Sequence, residues 1–297
     1  MPSEVVFVHH QPALRNIGDE LCSPRHYFDF VQPRARMAII GGGVFSDLGE
    51  KALGRLRIPA SDAVLWGVGR SVKRAGDRLQ VIDHLPHLAW GLRDMDGVAD
   101  LAHFLPCVSC LHPMLEEPIV GDKTLLFVNA DQRVTREADV PALQALAAER
   151  GWVFLQNSCS DEEMKAALAS CPRVVTNSFH GAYWSLLSGH AVKVIGYSSK
   201  FESLFRALRL PVSALLRYEK PRKHAWLTRW LGQGSQTSEL VAQLKRMSGD
   251  EGFVALPDPA AIRQEFRAMN LRFAQGLVEA GAFKDVRLKT DATRSCS

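Results

Sequence analysis

Arg173-Val-Val-Thr-Asn177-Ser178-Phe179-His180-Gly181-Ala-Tyr183-Trp184 changes character in its middle. Arg173–Thr176 is rich in β-branched residues and reads as a strand. Polar Asn177 and Ser178 form a turn, and a helix begins near Gly181. Strand, polar turn and helix together are the unit of a parallel α/β sheet, because a parallel neighbour is reached only through a crossover.

The same unit recurs on both sides of this segment. Glu4–Val8, Met37–Ile40, Ala63–Trp66, Thr124–Val128, Val153–Leu155 and Val192–Ile195 are further short apolar runs. Helical patterns lie between them. Val140–Arg150 stops at Gly151, Ser160-x-x-Glu163 is a capping box whose helix reaches about Ser170, and Phe201, Leu204, Phe205 and Leu208 share one helical face. Asp258 and Pro259 start a long helix whose stripe of Ile262, Phe266, Met269, Phe273 and Leu277 reads as core. The polar turn Gly121-Asp122-Lys123 divides the series. The expected fold class is α/β, with a Rossmann-like unit over residues 1–121, a second over 122–283 that includes the closing helix, and a flexible tail over 284–297. Ligands of such sheets bind outside the carboxyl ends of the strands.

With 297 residues, 46% hydrophobic and 23% charged, the chain can build a core and is not extensively disordered. No stretch approaches the ~18 apolar residues of a membrane helix. The N-terminus lacks the pattern of a secretory signal, so a cytoplasmic protein is expected. Lys plus Arg number 36 against 32 acids. That excess is too small to predict nucleic acid binding and suits an anionic small molecule or an anionic membrane surface. The six cysteines read as reduced thiols. Cys107 and Cys110 form a C-x-x-C followed by His112, but no second pair stands at zinc spacing. No metal is expected, and the pair reads as two partly buried thiols in a turn.

Four loops combine glycine with polar residues just after strands. Arg15-Asn16-Ile17-Gly18-Asp19-Glu20 is either a ligand loop or a capped turn. Gly41-Gly42-Gly43 implies the close approach of a ligand or of another backbone, and it is neither a Walker loop nor G-x-G-x-x-G. In Gly67-Val68-Gly69-Arg70-Ser71, Arg70 either meets an anion or is a solvated surface residue. In the fourth, Asn177–Gly181, Asn177 and Ser178 offer hydrogen bonds at a helix N-terminus, where phosphate or carboxylate is favoured. His180 is the titratable side chain of that turn and is suited to proton transfer. His9, His10, His84, His87 and His103 show no partners at ligand spacing, and His190, following Gly189, is expected to be solvated.

Taken together these loops resemble the polysaccharide pyruvyl transferase family. The family's N-x-G-D, GGG and W-G-x-G elements are matched by Asn16–Asp19, Gly41–Gly43 and Trp66–Gly69. Trp90-Gly91-Leu92-Arg93-Asp94 approximates its V-R-D stretch, and Ser178-Phe179-His180-Gly181 matches its S-x-H-G. The likeness spans roughly residues 5 to 210. The chain departs from the family where Ser178 replaces an arginine common two positions before the histidine. It departs again at Pro106–Pro113, where many members have Asp-Pro.

The resemblance implies two Rossmann-like domains facing a central cleft, as in GT-B glycosyltransferases. The implied activity transfers the enolpyruvyl group of phosphoenolpyruvate to a sugar of an exopolysaccharide or cell-surface glycan precursor, forming a cyclic ketal and releasing phosphate. His180 would be catalytic, with no cofactor or metal. Asn177, Ser178 and Gly181 would bind the donor, with Arg70, Arg93 and Lys200 as candidate cations. Asn16, Gly18, Asp19, Gly42 and Gly43 would face a saccharide acceptor, which would be lipid-linked if the enzyme works at the membrane. Arg217–Leu231, basic and carrying Trp226 and Trp230, reads either as a peripheral contact with anionic lipid on the inner face of the cell membrane or as a helix with buried tryptophans. Two other functions fit the same architecture: a nucleotide-sugar glycosyltransferase and a non-catalytic glycan-binding subunit.

Overall fold

The computed structural model describes residues 4–10, 14–72, 79–218, 238–247 and 252–289. Two parallel sheets organise them. In the first, β1 (Val5–Val8), β3 (Met37–Gly41), β4 (Ala63–Val68) and β5 (Ala89–Leu92) lie side by side in that order. In the second the order is β7 (Val153–Gln156), β6 (Thr124–Val128), β8 (Arg173–Thr176), β9 (Ala191–Gly196) and β10 (Leu216–Arg217). Every neighbouring pair in both sheets is parallel. β3, β4 and β6 are buried along their whole length, as unbroken apolar runs covered on both faces require.

The helices that cover them are α1 (Ile17–Leu21), α2 (Glu50–Leu56), α3 (Val140–Glu149), α4 (Asp161–Ser170), α5 (Phe179–Leu187), α6 (Ser199–Ala207), α7 (Glu239–Arg246) and α8 (Pro259–Glu279). The capping box forms at the start of α4: Ser160 Oγ accepts from the Glu163 amide while the Glu163 carboxylate accepts from that of Ser160. Asp258 caps α8. Ile262, Phe266 and Leu277 of its stripe are buried, and Met269 and Phe273 pack on the same core.

α8 joins the two halves of the chain. Trp66 Nε1 of β4 donates to Asn270 Oδ1 at 2.7 Å, and both residues are fully buried. Arg263 donates to the carbonyls of Leu115 and Leu187.

The expected tail at 284–297 is corrected in its first part. β11 (Phe283–Leu288) pairs antiparallel with β2 (Phe28–Pro33). Lys284, Asp285 and Arg287 give this segment a polar look. Its backbone nevertheless completes a ladder, and the Phe283 ring lies 5.2 Å from that of Phe30. Residues 290–297 lie outside the described residues. So does most of the basic segment ending at Leu231, with Trp226 and Trp230. Among the described residues no helix is long and apolar enough to cross a membrane.

Candidate functional site

A cavity of about 790 Å³ opens at the carboxyl ends of strands from both sheets. Asn16 and Asp19 reach it from beyond β1, Ser46 from β3, Ser71 from β4 and Arg93 from β5. Asn129 and Asp131 reach it from β6, Asn157 from β7, Ser178 and His180 from β8, and Lys200 from β9. The order of strands along the chain switches between β6 and β8, with β7 on one side of β6 and β8 and β9 on the other. There the loops diverge and leave room for a ligand.

His180 stands in the first turn of α5 and is 5% exposed. Its Nε2 lies 2.8 Å from Cys22 Sγ, 3.8 Å from Cys107 Sγ and 3.4 Å from Arg93 Nη1. The Phe179 and Trp184 rings flank it at 5.2 and 5.3 Å. Its Nδ1 carries no hydrogen bond among the described residues. That nitrogen lies beside the backbone of Gly18, where a Cβ would come within 2.1 Å of it. Glycine at position 18 is therefore required by the imidazole itself.

The early loop is both a capped turn and part of the cavity wall. Asn16 caps α1 by accepting from the Gly18 amide at 3.1 Å, and its Nδ2 donates to Asp19 Oδ2 at 2.9 Å. Asp19 also pairs with His10 Nδ1 at 3.0 Å, so His10 has a partner that its sequence neighbours did not reveal. Burial raises the Asp19 carboxyl, but the His10 hydrogen bond and the nearby His180 and Arg93 outweigh it and hold the group below the usual carboxylate range. The Asp19 bond raises His10 in turn. Gly42 and Gly43 have φ of +75° and +87°, and Cβ atoms there would meet the Cys22 and His10 side chains at 2.1 and 2.4 Å. The close approach that the glycine run implied is that of the chain's own Cys22 and His10, and neither glycine lines the cavity.

Two cations grip one aromatic ring. Arg93 Cζ lies 4.3 Å from the Phe179 centroid and Lys200 Nζ lies 5.9 Å from it. Arg93 is 5% exposed, and among the described residues its Nε has no hydrogen-bond partner. Lys200 Nζ donates to the Tyr197 hydroxyl at 2.9 Å. Burial first, and the Arg93 charge second, lower Lys200 to about 8. Arg70 stands apart: its guanidinium donates to the Gln80 carbonyl, its amide to Asp94, and it does not line the cavity.

Within the strand-to-helix turn the donor-binding expectation needs correction at Asn177 and Gly181. Asn177 is 1% exposed and fully occupied. Its Oδ1 accepts from the Asn129 amide, and its Nδ2 donates to Thr135 Oγ1 and the Tyr218 hydroxyl. It ties the turn after β8 to the turn after β6. The Gly181 amide donates to Ser178 Oγ, the cap of α5. A Cβ at 181 would strike Phe127 Cδ1 at 2.4 Å, so this glycine lets the helix lie on β6. Of the turn, Ser178, Phe179 and His180 line the cavity. His190, expected in solvent, is 1% exposed, because its ring sits between the Ser185 and Leu168 carbonyls of α5 and α4.

The meeting of Cys22 with Cys107 was not expected from their places in the chain. Cys22 and Cys107 are buried, with Sγ atoms 3.1 Å apart. Cys22 Sγ donates to the Gly18 carbonyl, one helical turn back. Cys107 does not pair with Cys110, whose sulfur meets Asn270, and His112 caps the next turn. Burial disfavours both thiolates. Cys22, His180 and Arg93 overcome that for Cys107 and hold it well below the usual thiol range, while Cys22 is pushed up by burial and by Cys107. The donor atoms of Cys22, Cys107 and His180 lie within 4.8 Å of one another, a set that a soft cation could use. A cysteine following N-x-G-D by one helical turn is the signal that would have pointed to this group. The chain matches no protein-family model and no curated protein.

Proposed function

We propose that the chain transfers the enolpyruvyl group of phosphoenolpyruvate to a saccharide, forming a cyclic pyruvate ketal and releasing phosphate. The observation that carries this reading is the convergence of His180, Arg93 and Lys200 on one cavity at the strand ends of both sheets. The donor bears a phosphate and a carboxylate, and the two cations at the Phe179 ring offer charge for both. Its methylene carbon needs a proton while a sugar hydroxyl attacks the adjacent carbon. His180 has one nitrogen turned to Cys22 and Arg93 and the other without a hydrogen-bond partner among the described residues, as a proton donor requires. A second hydroxyl then closes the ketal as phosphate leaves. Asn16, Asp19 and Asp131 give the cavity a polar wall suited to sugar hydroxyls.

In this proposal residues 1–121 and 122–283 are Rossmann-like units in a GT-B-like arrangement, with the acceptor held by the first and the donor by the second. A lipid-linked acceptor would bring the basic 217–231 segment to the anionic inner face of the membrane. The deciding experiment incubates the protein with phosphoenolpyruvate and a panel of synthetic or lipid-linked glycosides. A ketal mass gain with stoichiometric phosphate supports transfer. Release of a nucleoside diphosphate from a sugar nucleotide instead identifies a glycosyltransferase, and acceptor binding without product from either donor identifies a non-catalytic subunit.

A further inference from the structure

Cys22 and Cys107 stand 85 positions apart in the chain, yet their sulfurs are 3.1 Å apart. A disulfide needs about 2.05 Å, so roughly 1 Å of closure separates the pair from a bond. Two thiolates on one zinc, at ~2.3 Å each and a tetrahedral angle, lie about 3.8 Å apart, farther than these do. The Gly18 carbonyl is 2.7 Å from Cys22 Sγ and favours a thiol there over a metal-bound thiolate. Arg93 Nη1, 3.4 Å from His180 Nε2, already places a fixed positive charge at the cluster. These contacts favour sulfur–sulfur chemistry over ion binding.

We propose that Cys22 and Cys107 are a redox-modification site, closing to a reversible disulfide when a peroxide reaches the cavity. Cys107 is the attacking sulfur. Its sulfur lies 3.8 Å from the His180 Nε2 that Arg93 Nη1 also meets, so a fixed positive charge stands beside it and favours thiolate. The way in is past His180, which lines the cavity and touches both sulfurs. The Cys107 thiolate attacks one peroxide oxygen. The O–O bond breaks, an S–O bond forms, and the departing hydroxide takes a proton to become water. The Cys22 sulfur then attacks the sulfenic sulfur of Cys107. The S–S bond forms, the S–O bond breaks, and the leaving hydroxide takes the Cys22 proton as a second water. Two electrons pass from the thiols to the peroxide. A disulfide has no S–H, so the Gly18 carbonyl, on the backbone that packs against the His180 ring, loses its 2.7 Å thiol donor, and the cavity wall registers the oxidation.

The test is peptide mapping of the full-length reduced protein after hydrogen peroxide, with free thiols capped by an alkylating reagent. The expected product has lost two hydrogens and contains a Cys22–Cys107 linkage. Cys110, Cys159, Cys171 and Cys296 remain alkylated, and dithiothreitol restores the starting mass. The Cys22→Ser variant should stop at a sulfenic acid on Cys107 that dimedone traps. The mapping reads the bond directly, so it stands or falls independently of pyruvyl transfer. Oxidation confined to other cysteines, or a dimedone adduct on Cys22 in Cys107→Ser, would overturn the proposal. So would one equivalent of zinc in the purified protein whose removal is needed before either thiol reacts.

Discussion

At the N-terminal end of α5 His180 is 5% exposed, and just past its C-terminal end His190 is 1% exposed. Burial does not separate them, but their partners do. His190 Nδ1 lies 3.1 Å from the Ser185 carbonyl and Nε2 lies 2.9 Å from that of Leu168, so both nitrogens are enclosed by backbone and the ring stitches α5 to α4. His180 meets sulfur and guanidinium on one side only. A buried histidine is available for chemistry when one nitrogen is left over, and the two ends of this helix show both outcomes.

Replacing His180 by alanine breaks the comparison most severely. The expected loss is about 100- to 10,000-fold in phosphate release, the range for a positioned acid or base, with an unchanged circular dichroism spectrum. Turnover close to that of the parent protein would remove His180 from the mechanism.

Gly18→Ala tests the same ring without touching it. The new methyl would lie 2.1 Å from Nδ1, so the imidazole or the α1 backbone has to move. A displacement near 1 Å costs on the order of 100-fold in rate. Steady-state kinetics should show the loss in kcat, and a crystal structure should show the ring shifted. An unmoved ring with normal kcat would mean that the loop yields freely.

These two variants also mark what the chain discloses before folding. The alternation of apolar runs with capped helices was legible, since β6, β8, α4 and α8 each carry their own local signal. The place of His180 where a strand meets a helix was legible for the same reason. Cys22 and Cys107 were not, because their meeting depends on how the segments around them pack. Asn177 misled because a polar residue in a turn looks the same whether it faces a ligand or braces two loops. β11 was missed because its pairing with β2 is a contact across most of the chain, and half its residues are charged.

His190→Ala sharpens the comparison from the other end of α5. The Ser185 and Leu168 carbonyls keep the His190 and Cys171 amides, so the loss is that of a buried ring and its hydrogen bond between α5 and α4, at a cost of about 1–3 kcal/mol. Thermal denaturation should register a Tm lower by several degrees, while phosphate release per folded molecule stays as in the parent. A drop in kcat with unchanged Tm would reverse the roles assigned to the two histidines.

The smallest effect expected is the pH response of Lys200, the cation that shares the Phe179 ring with Arg93. Its amine is lowered to about 8 by burial and by Arg93, so it is charged below that pH and neutral above it. An anionic donor binds the charged form, and KM for phosphoenolpyruvate should rise by up to about tenfold per unit as pH climbs through 8. The stability sign is opposite. Between about 8 and the ordinary lysine range the unfolded chain holds the extra proton, so this group favours folding more as pH increases there. Lys200→Met should flatten the KM profile and leave kcat near that of the parent protein. A profile that keeps its rise in the variant would move the donor charge to Arg93 alone.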